Sequence, residues 1–432
     1  MSLIEIKLGD CLSMIENGAT IKQKEGAGGY PITRIETLSN DRFNRDRLGY
    51  ADIYNIDLYK NHILDNEDLV MSHINSRSFL GRTVIYLKKG DETIIHGMNV
   101  LRIKTKRGIL NPFYAYYYFK TPHFKKAIDN IRTDAINQSS INTNNIRDIK
   151  IHIPDLATQE KVVRVLQGFD KKIEENEKLN AELEAMAKQL YDYWFVQFDF
   201  PDENGKPYKS SGGKMVYNPT LKREIPAGWE ITSIGDLITT ERGISYSTPN
   251  ISSGNGVPML NLATFMPGGG DYKASGLKHY LGDYPTSKVL KPYDLIMCNT
   301  QQTAIKFETD IIGRAMLVPD IFEGDIVFSH HVNIIKTKND DLKYYLLYLF
   351  NSDYYHKYIS GYTNGTNILG LSFNGVSEYN LEIPPDAILK QFASLILDIA
   401  KKKSLIFKES SNLTHLRDSL LPMLMNGQVT VE

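Results

Sequence analysis

The feature that most constrains this chain is that it repeats itself. Residues 133–154 read "TDAINQSSINTNNIRDIKIHIP" and residues 363–384 read "TNGTNILGLSFNGVSEYNLEIP". Both begin with Thr, alternate apolar and polar residues toward the end, and close on Ile-Pro. Other matches follow in the same order. "LGDCLSMIENG" (8–18) matches "IGDLITTERG" (234–243), and "EDLVM" (67–71) matches "YDLIM" (293–297). "GRTVIYL" (81–87) matches "GRAMLVP" (313–319), and "RIKTK" (102–106) matches "IIKTK" (334–338). The offset drifts only between 225 and 232, as small loop insertions would cause. A repeat of this length means two copies of one folding unit.

Each copy has the same expected layout. Residues 1–154 and 225–385 hold short apolar runs such as "TVIYL" and "HVNIIK", punctuated by Gly, Pro and Asn, which read as strands. One aromatic helix is expected in each, over 111–128 and 340–359. A Pro-terminated strand then leads into a long helix, within 155–200 and again within 386–432. Residues 201–224 join the copies, and Pro201, Gly205, Pro207, Gly212 and Gly213 should interrupt any regular element there.

The long helices carry a seam spaced alternately by four and three. In the first it runs Val162, Leu166, Phe169, Ile173, Asn176, Asn180, Leu183, Ala187, Leu190 and Trp194. In the second it runs Phe392, Leu395, Ile399, Lys402, Ile406, Glu409, Leu413, Leu416, Leu420 and Met423. Eight of ten positions are apolar in each, and both seams are polar near the middle. Two unrelated amphipathic helices could show such stripes. Matched lengths and matched polar breaks favour helices that pair, with Asn176 and Asn180 setting register.

Composition narrows the class. Cys11 and Cys298 are far apart and form no CxxC pair, which suits a reducing compartment and argues against a zinc ribbon. No apolar run reaches the ~18 residues of a membrane span, and the N-terminus "MSLIEIKLGD" is unlike a signal peptide; a cytoplasmic location is expected. Net charge is −1, but residues 1–154 carry +5, 155–200 carry −4, 201–385 carry −3 and 386–432 carry +1.

Catalytic patterns are missing. "NPFY" (111–114) resembles the Asn-Pro-Pro-Tyr loop of amino-methyltransferases, but its repeat counterpart Asp340-Asp341-Leu342-Lys343 lacks the motif and opens the same helix. Asn111 therefore reads as an N-cap with Pro112 at the first helical position. "GAGGYP" (26–31) has Pro31 where a dinucleotide loop needs its third Gly. His330 and His331 sit on a strand-like run and should point to opposite faces, which disfavours a metal site. The chain reads as non-catalytic, with no cofactor of its own.

Polar loops remain. "TRIETLSNDRFNRDR" (33–47) holds Arg34, Asn40, Arg42, Asn44 and Arg45. "MSHINSRSFLGR" (71–82), with His73, Asn75 and Arg77, occupies the same repeat position as "CNTQQTAIKFETD" (298–310), with Asn299, Gln301, Gln302 and Lys306. "TDAINQSS", with Asn137 and Gln138, corresponds to "TNGTNILG", with Asn364 and Asn367. Arg242, Asn261 and Lys273 complete the candidates. Arg, Asn and Gln are the side chains whose bidentate geometry reads base edges in double-stranded DNA. Surface loops of any protein are rich in them; recurrence at equivalent repeat positions is what raises the signal.

The tandem layout, the helix openings "IPDLATQEKVV" and "IPPDAILKQFA", the run "FDFPDENGKPYKSSGGKM", the start "IPAGWE" and the terminal "LRDSLLPMLMNGQV" resemble the DNA-specificity subunits of type I restriction-modification systems, over essentially the whole chain. The resemblance implies an α+β fold. Two mixed α/β target-recognition domains would be separated by two long helices packed as an antiparallel coiled coil. Each domain would read half of a split, asymmetric site. Methyltransferase subunits, two of them, would dock on the helices, and a restriction translocase would join. S-adenosylmethionine, ATP and Mg would serve those partners, and the methylated group would be adenine N6. The first seam, at ~1.5 Å per residue, is ~50 Å long, enough to span successive major-groove turns ~34–36 Å apart. The alternatives are a coiled-coil scaffold that binds only protein, and a methyltransferase in its own right.

Overall fold

A computed structural model describes residues 2–24, 28–39, 41–136, 138–302 and 307–431. The chain divides into two compact units. Residues 1–174 with 412–432 form the first, and residues 175–411 form the second.

In the first unit four antiparallel strands lie in the order Thr83–Tyr86, Asp68–Ser72, Val100–Thr105, Leu12–Asn17. Their apolar residues Leu69, Met71, Val84, Leu101 and Ile103 are buried, as the covered face of a sheet should be. Ile4–Lys7 pairs with Lys150–Ile153, so the start of the domain is tied to the strand that precedes the long helix. The second unit repeats this order with Ala315–Leu317, Leu295–Cys298, Val332–Thr337 and Ile238–Arg242, and Glu230–Ser233 pairs with Asn380–Ile383. Sheet and helices together make an α+β fold.

Where one aromatic helix per copy is expected, there are two. Pro112–Tyr118 gives way to Pro122–Ile131, and Leu342–Asn351 gives way to Asp353–Ile359. The break has a local cause. Thr121 Oγ1 accepts from the Phe124 N–H at 3.3 Å and Ser352 Oγ from the Tyr355 N–H at 3.3 Å, so each hydroxyl starts a new helix. Asn111 Oδ1 accepts from Phe113 N–H at 2.9 Å and Tyr114 N–H at 3.2 Å, which is the cap read from "NPFY".

The long helices run Leu156–Tyr191 and Asp386–Met425, the first starting two residues after Pro154 and the second directly after Pro385. Every seam position of the first, from Val162 to Trp194, is buried or half-buried. In the second, Ile406 is buried and Ile399, Leu413 and Leu420 half-buried, but Leu395 and Leu416 are 45% and 51% exposed. These two do not belong to the buried face. Near its start the second helix turns Leu389, Phe392, Ala393 and Ile396 into the aromatic core of its own unit. A strict seven-residue repeat also drifts ~20° per heptad around a straight helix, so a seam drawn from Phe392 does not stay on one face.

Within the first unit the two helices meet at Asp170 and Arg417, 2.7 Å apart. Within the second they meet at Asn176 with Glu409 (2.8 Å) and Ser410 (3.2 Å), and at Glu184 with Lys403 (2.6 Å). Numbers fall along one helix as they rise along the other, so the pairing is antiparallel.

The first unit's core takes Leu421, Leu424 and Met425 from the very end of the chain. The second unit's core takes Tyr191, Trp194, Phe195, Phe198 and Phe200, with Phe195 edge-on to Tyr345 and Phe392 at 4.8 Å. Residues 201–224 are more ordered than their turn-rich sequence suggests. Tyr208 stacks on Phe200 at 4.7 Å, and Met215–Asn218 forms a hairpin with Arg223–Pro226.

Candidate nucleic-acid interface

The loops matched by the repeat are brought together in both units. In the first unit the strand Asp68–Ser72 continues through His73 into Ile74–Asn75, which pairs with Ser139–Ile141; Arg132–Asp134 completes a small antiparallel sheet. In the second, Leu295–Cys298 continues through Asn299 into Thr300–Gln302, which pairs with Ile368–Leu371 and then Thr363–Asn364. Thus "MSHINSR" meets "TDAINQSS", and "CNTQQ" meets "TNGTNILG", on the same extension of the same sheet. The topology is shared while the side chains differ.

The candidates divide by exposure. Arg34, Arg42, Arg77, Gln138, Arg242, Lys273, Asn364 and Asn367 are exposed. Arg34 contacts Gln23, Arg77 lies 3.8 Å from Asp129, and Arg242 Nε donates to the His330 carbonyl at 2.6 Å. Asn40, Asn137 and Lys306 lie outside the described residues, as does the side chain of Gln302.

Four candidates are buried and face inward. Asn261 is 2% exposed; its amide donates to the Gly276 carbonyl at 2.9 Å and its Oδ1 caps Ala263. Asn299 donates to Asn333 and to the His330 carbonyl, and accepts from the Thr300 hydroxyl at 2.6 Å. Gln301 Oε1 accepts from Ile311 N–H at 2.7 Å. His73 is 5% exposed, and burial pushes its pKa down to about 4, so at neutral pH it brings no charge to a phosphate. Asn44, Arg45 and Asn75 are half-buried and engaged as well. Asn44 caps Asp46, Asn75 bonds Ser72, and Arg45 pairs with Glu92 through Nε at 2.8 Å. These seven hold the loops in shape; a sequence shows the amide or guanidinium but not the backbone group it satisfies.

A basic groove escapes the sequence reading. In the first unit Arg77, Arg82, Lys120 and Lys125, with Ser76 and Ser78, line a groove of about 780 Å³, which also holds Asp41 and Asp129. Arg82 lies over the Phe79 ring at 4.3 Å. Lys120 Nζ donates to Tyr116 OH at 2.6 Å, and burial pulls its pKa down to about 8 against the opposing pull of Asp41 and Asp170. Lys120 ends an aromatic helix, so nothing in its sequence neighbourhood marks it.

His330 and His331 do not lie on opposite strand faces. They occupy the turn between Ile326–Phe328 and Val332–Thr337, with ring centroids 3.9 Å apart. Among the described residues no three His, Cys, Asp or Glu side chains gather as a metal site, and no helix is long and apolar enough to cross a membrane.

Comparison with known proteins places this geometry. The family described as "Type I restriction modification DNA specificity domain" matches residues 4–185 and again 226–413. A putative type I restriction enzyme specificity subunit, MjaX of Methanocaldococcus jannaschii, is 27% identical across 99% of this chain and 93% of its own length. The HindI specificity subunit of Haemophilus influenzae is 22% identical across 72% of this chain and 75% of its own length. The crystal structure of a type I S subunit from M. genitalium shares the fold with a TM-score of 0.52 at 14% identity, covering 98% of this chain and 96% of that one. With both repeats matched in tandem, the chain belongs to the type I restriction-modification DNA-specificity family and is a non-catalytic specificity subunit with two specificity domains.

Proposed function

We propose that each unit reads one half of a split, asymmetric double-stranded DNA site. The observation that carries this reading is the shared sheet extension. It presents two loops per unit, built alike in both and different in sequence. Residues 1–154 and 225–385 are the two readers in this proposal, 155–200 and 386–432 the helices, and 201–224 their connection. The exposed Arg34, Arg42, Arg77, Gln138, Arg242, Lys273, Asn364 and Asn367 are the side chains available to bases and phosphates.

The helices set the unspecified gap between half-sites and dock two methyltransferase subunits. A translocating restriction subunit completes the assembly. S-adenosylmethionine, ATP and Mg are used by those partners, adenine N6 is the methylated atom, and the assembly works in the cytoplasm. Support comes from exposed apolar side chains on the helices, including Met186, Leu395, Leu405 and Leu416, which a chain meant to stay alone would keep covered.

Replacing residues 1–154 with those of a relative and mapping methylated adenines across the host genome tests the proposal. One half-site should change and the other persist. A change in both halves would rule out independent readers.

A further inference from the structure

We propose that the two long helices carry a charge code that favours pairing of each with the other over pairing with a copy of itself. The code holds whatever ligand the units bind. In the first unit Arg417 Nη1 donates to Asp170 Oδ1 at 2.7 Å, and the Tyr117 hydroxyl donates to Asp170 Oδ2 at 2.5 Å. In the second unit Lys403 Nζ lies 2.6 Å from Glu184 and 2.9 Å from Asp271. In both pairs the carboxylate belongs to the first helix and the cation to the second. The bulk charge agrees, at −4 for residues 155–200 and +1 for 386–432.

The pairs are shielded enough for the sign to matter. The side chain of Lys403 is 13% exposed, Arg417 23%, Glu184 32% and Asp170 33%. Despite burial, which works against its charge, Lys403 is held above its ordinary pKa by Asp271 and Glu184. A first helix paired with another first helix would leave Asp170 and Glu184 without cations. A second helix paired with another second helix would leave Arg417 with only Asp418 of its own helix, 2.8 Å away, and Lys403 with only Asp271. An uncompensated, partly buried charge is costly, and charges at a helical seam are an established means of choosing partners. Asn176 supports the same pairing by donating to Glu409 and Ser410 of the other helix.

The test uses the full chain in a background of Tyr117→Phe, Asp271→Asn and Asp418→Asn, so that only helix–helix pairs are read. Lys403→Glu with Arg417→Glu gives the second helix the sign of the first. Its unfolding midpoint should fall by about 10 °C, the shift expected when two shielded pairs become repulsive in a chain of this size. Adding Asp170→Lys and Glu184→Lys should recover at least half of that fall. A neutral control, Lys403→Gln with Arg417→Gln, should lie between background and like-charge variant. If the like-charge chain cannot be purified, the cycle of Glu184→Gln, Lys403→Gln and their combination reads the same interaction, and the two changes should be clearly non-additive. The proposal is overturned if the four-fold reversal is no more stable than the like-charge variant, if the neutral control is as unstable as the like-charge one, or if that cycle is additive.

Discussion

The same slot is open in one unit and filled in the other. In the first unit Gly81-Arg82 and Lys120 border the basic groove. The repeat counterparts in the second unit are Gly313-Arg314 and Asn351. Gly81 and Gly313 both have positive φ, +75° and +70°, and a side chain on either would run into Ile128 or Ile359, so the two backbones make the same turn. The difference comes from a neighbouring loop. Leu38 and Phe43 are joined by four residues, whereas Phe265 and Tyr272 are joined by six that include Gly268, Gly269 and Gly270, all with φ above +80°. This loop lies against Arg314, and Gly270 N–H donates to the Ala315 carbonyl at 3.1 Å. Arg314 is 3% exposed and spends its guanidinium on Asn351 and Asp353, while Arg82 stays half-exposed. One scaffold thus yields a cationic opening or a packed surface according to two inserted residues. The +5 of residues 1–154 against the −3 of residues 201–385 follows the same division.

The largest effect should come from breaking the first unit without touching the second. Only the first unit is discontinuous, and its core needs Leu421, Leu424 and Met425. Burial of each such side chain is worth ~1.5–3 kcal/mol, so removing residues 412–432 costs an amount comparable to a domain's whole stability of ~5–15 kcal/mol. By hydrogen exchange, Asp68–Ser72 should lose its protection while Leu295–Cys298 keeps it. Equal loss in both strands would show that the C-terminal segment supports the whole chain.

Next in size is Gly269→Val, which attacks the filled slot. Gly269 has φ +82°, and an added Cβ would lie 2.5 Å from Arg314 Cβ and 2.7 Å from Asn351 Oδ1. Backbone strain alone is of order 1–3 kcal/mol, and the clash adds to it. Urea unfolding should show a loss of at least ~2 kcal/mol. The matched change Asp41→Gly, at the open slot, relieves a positive φ of 56° and should be neutral or mildly stabilising by ~0.5 kcal/mol. A neutral Gly269→Val would mean that the slot is not tightly filled.

Acid should act on both units more gently, and one substitution should then separate them. Burial pushes His73 down to about 4 and His96 to about 3 in the first unit; in the second it pushes His331 to about 4 and also lowers the fully buried His356. A histidine whose folded pKa is depressed binds its proton more readily when unfolded. Its contribution is complete above ~6.5 and is lost as pH falls from there toward 4. Unfolding followed by hydrogen exchange between pH 7 and pH 4 should show a loss in both units. His96→Gln should flatten the slope of the first unit and spare that of the second, and an unchanged slope in the first would remove the histidines from the account.

Much of this was legible in the sequence. The repeat, the paired helices and the caps at Asn111 are local or periodic signals, and backbone hydrogen bonding obeys them. The first helix's seam was readable because every position of its stripe is buried or half-buried. The second was less so because Phe392 and Ile396 answer to an aromatic core far away in sequence. The breaks at Thr121 and Ser352 were hidden inside continuous aromatic patterns, although a hydroxyl residue before Pro122 was a usable sign. The interface was the least legible part. Asn261, Asn299 and Gln301 have the composition of readers, but loops need internal hydrogen bonds before they can present anything. Lys120 has no motif at all and comes to notice only because it lines one groove with Arg77 and Arg82.

The smallest expected effect bears most directly on what the open slot is for. If the groove lies along a DNA backbone, Lys120 is one phosphate contact among several. Replacing it with Gln should weaken binding of duplex DNA several-fold, equally for any sequence, because phosphate contacts position rather than specify. The slope of log affinity against log salt should fall by about 0.9, the loss of one neutralised phosphate. Asn351→Lys, which puts a cation at the filled slot, should leave that slope unchanged. The pKa of Lys120, near 8, adds a sharper reading. At pH 7 the ammonium is present in the wild type. At pH 9 most of it is gone, so wild type and Lys120→Gln should converge in both affinity and slope. If the two proteins still differ by the same factor at pH 9, Lys120 acts by filling space beside Tyr116 and not by its charge. If they never differ at any pH, the groove does not meet the DNA, and the two slots differ in packing alone.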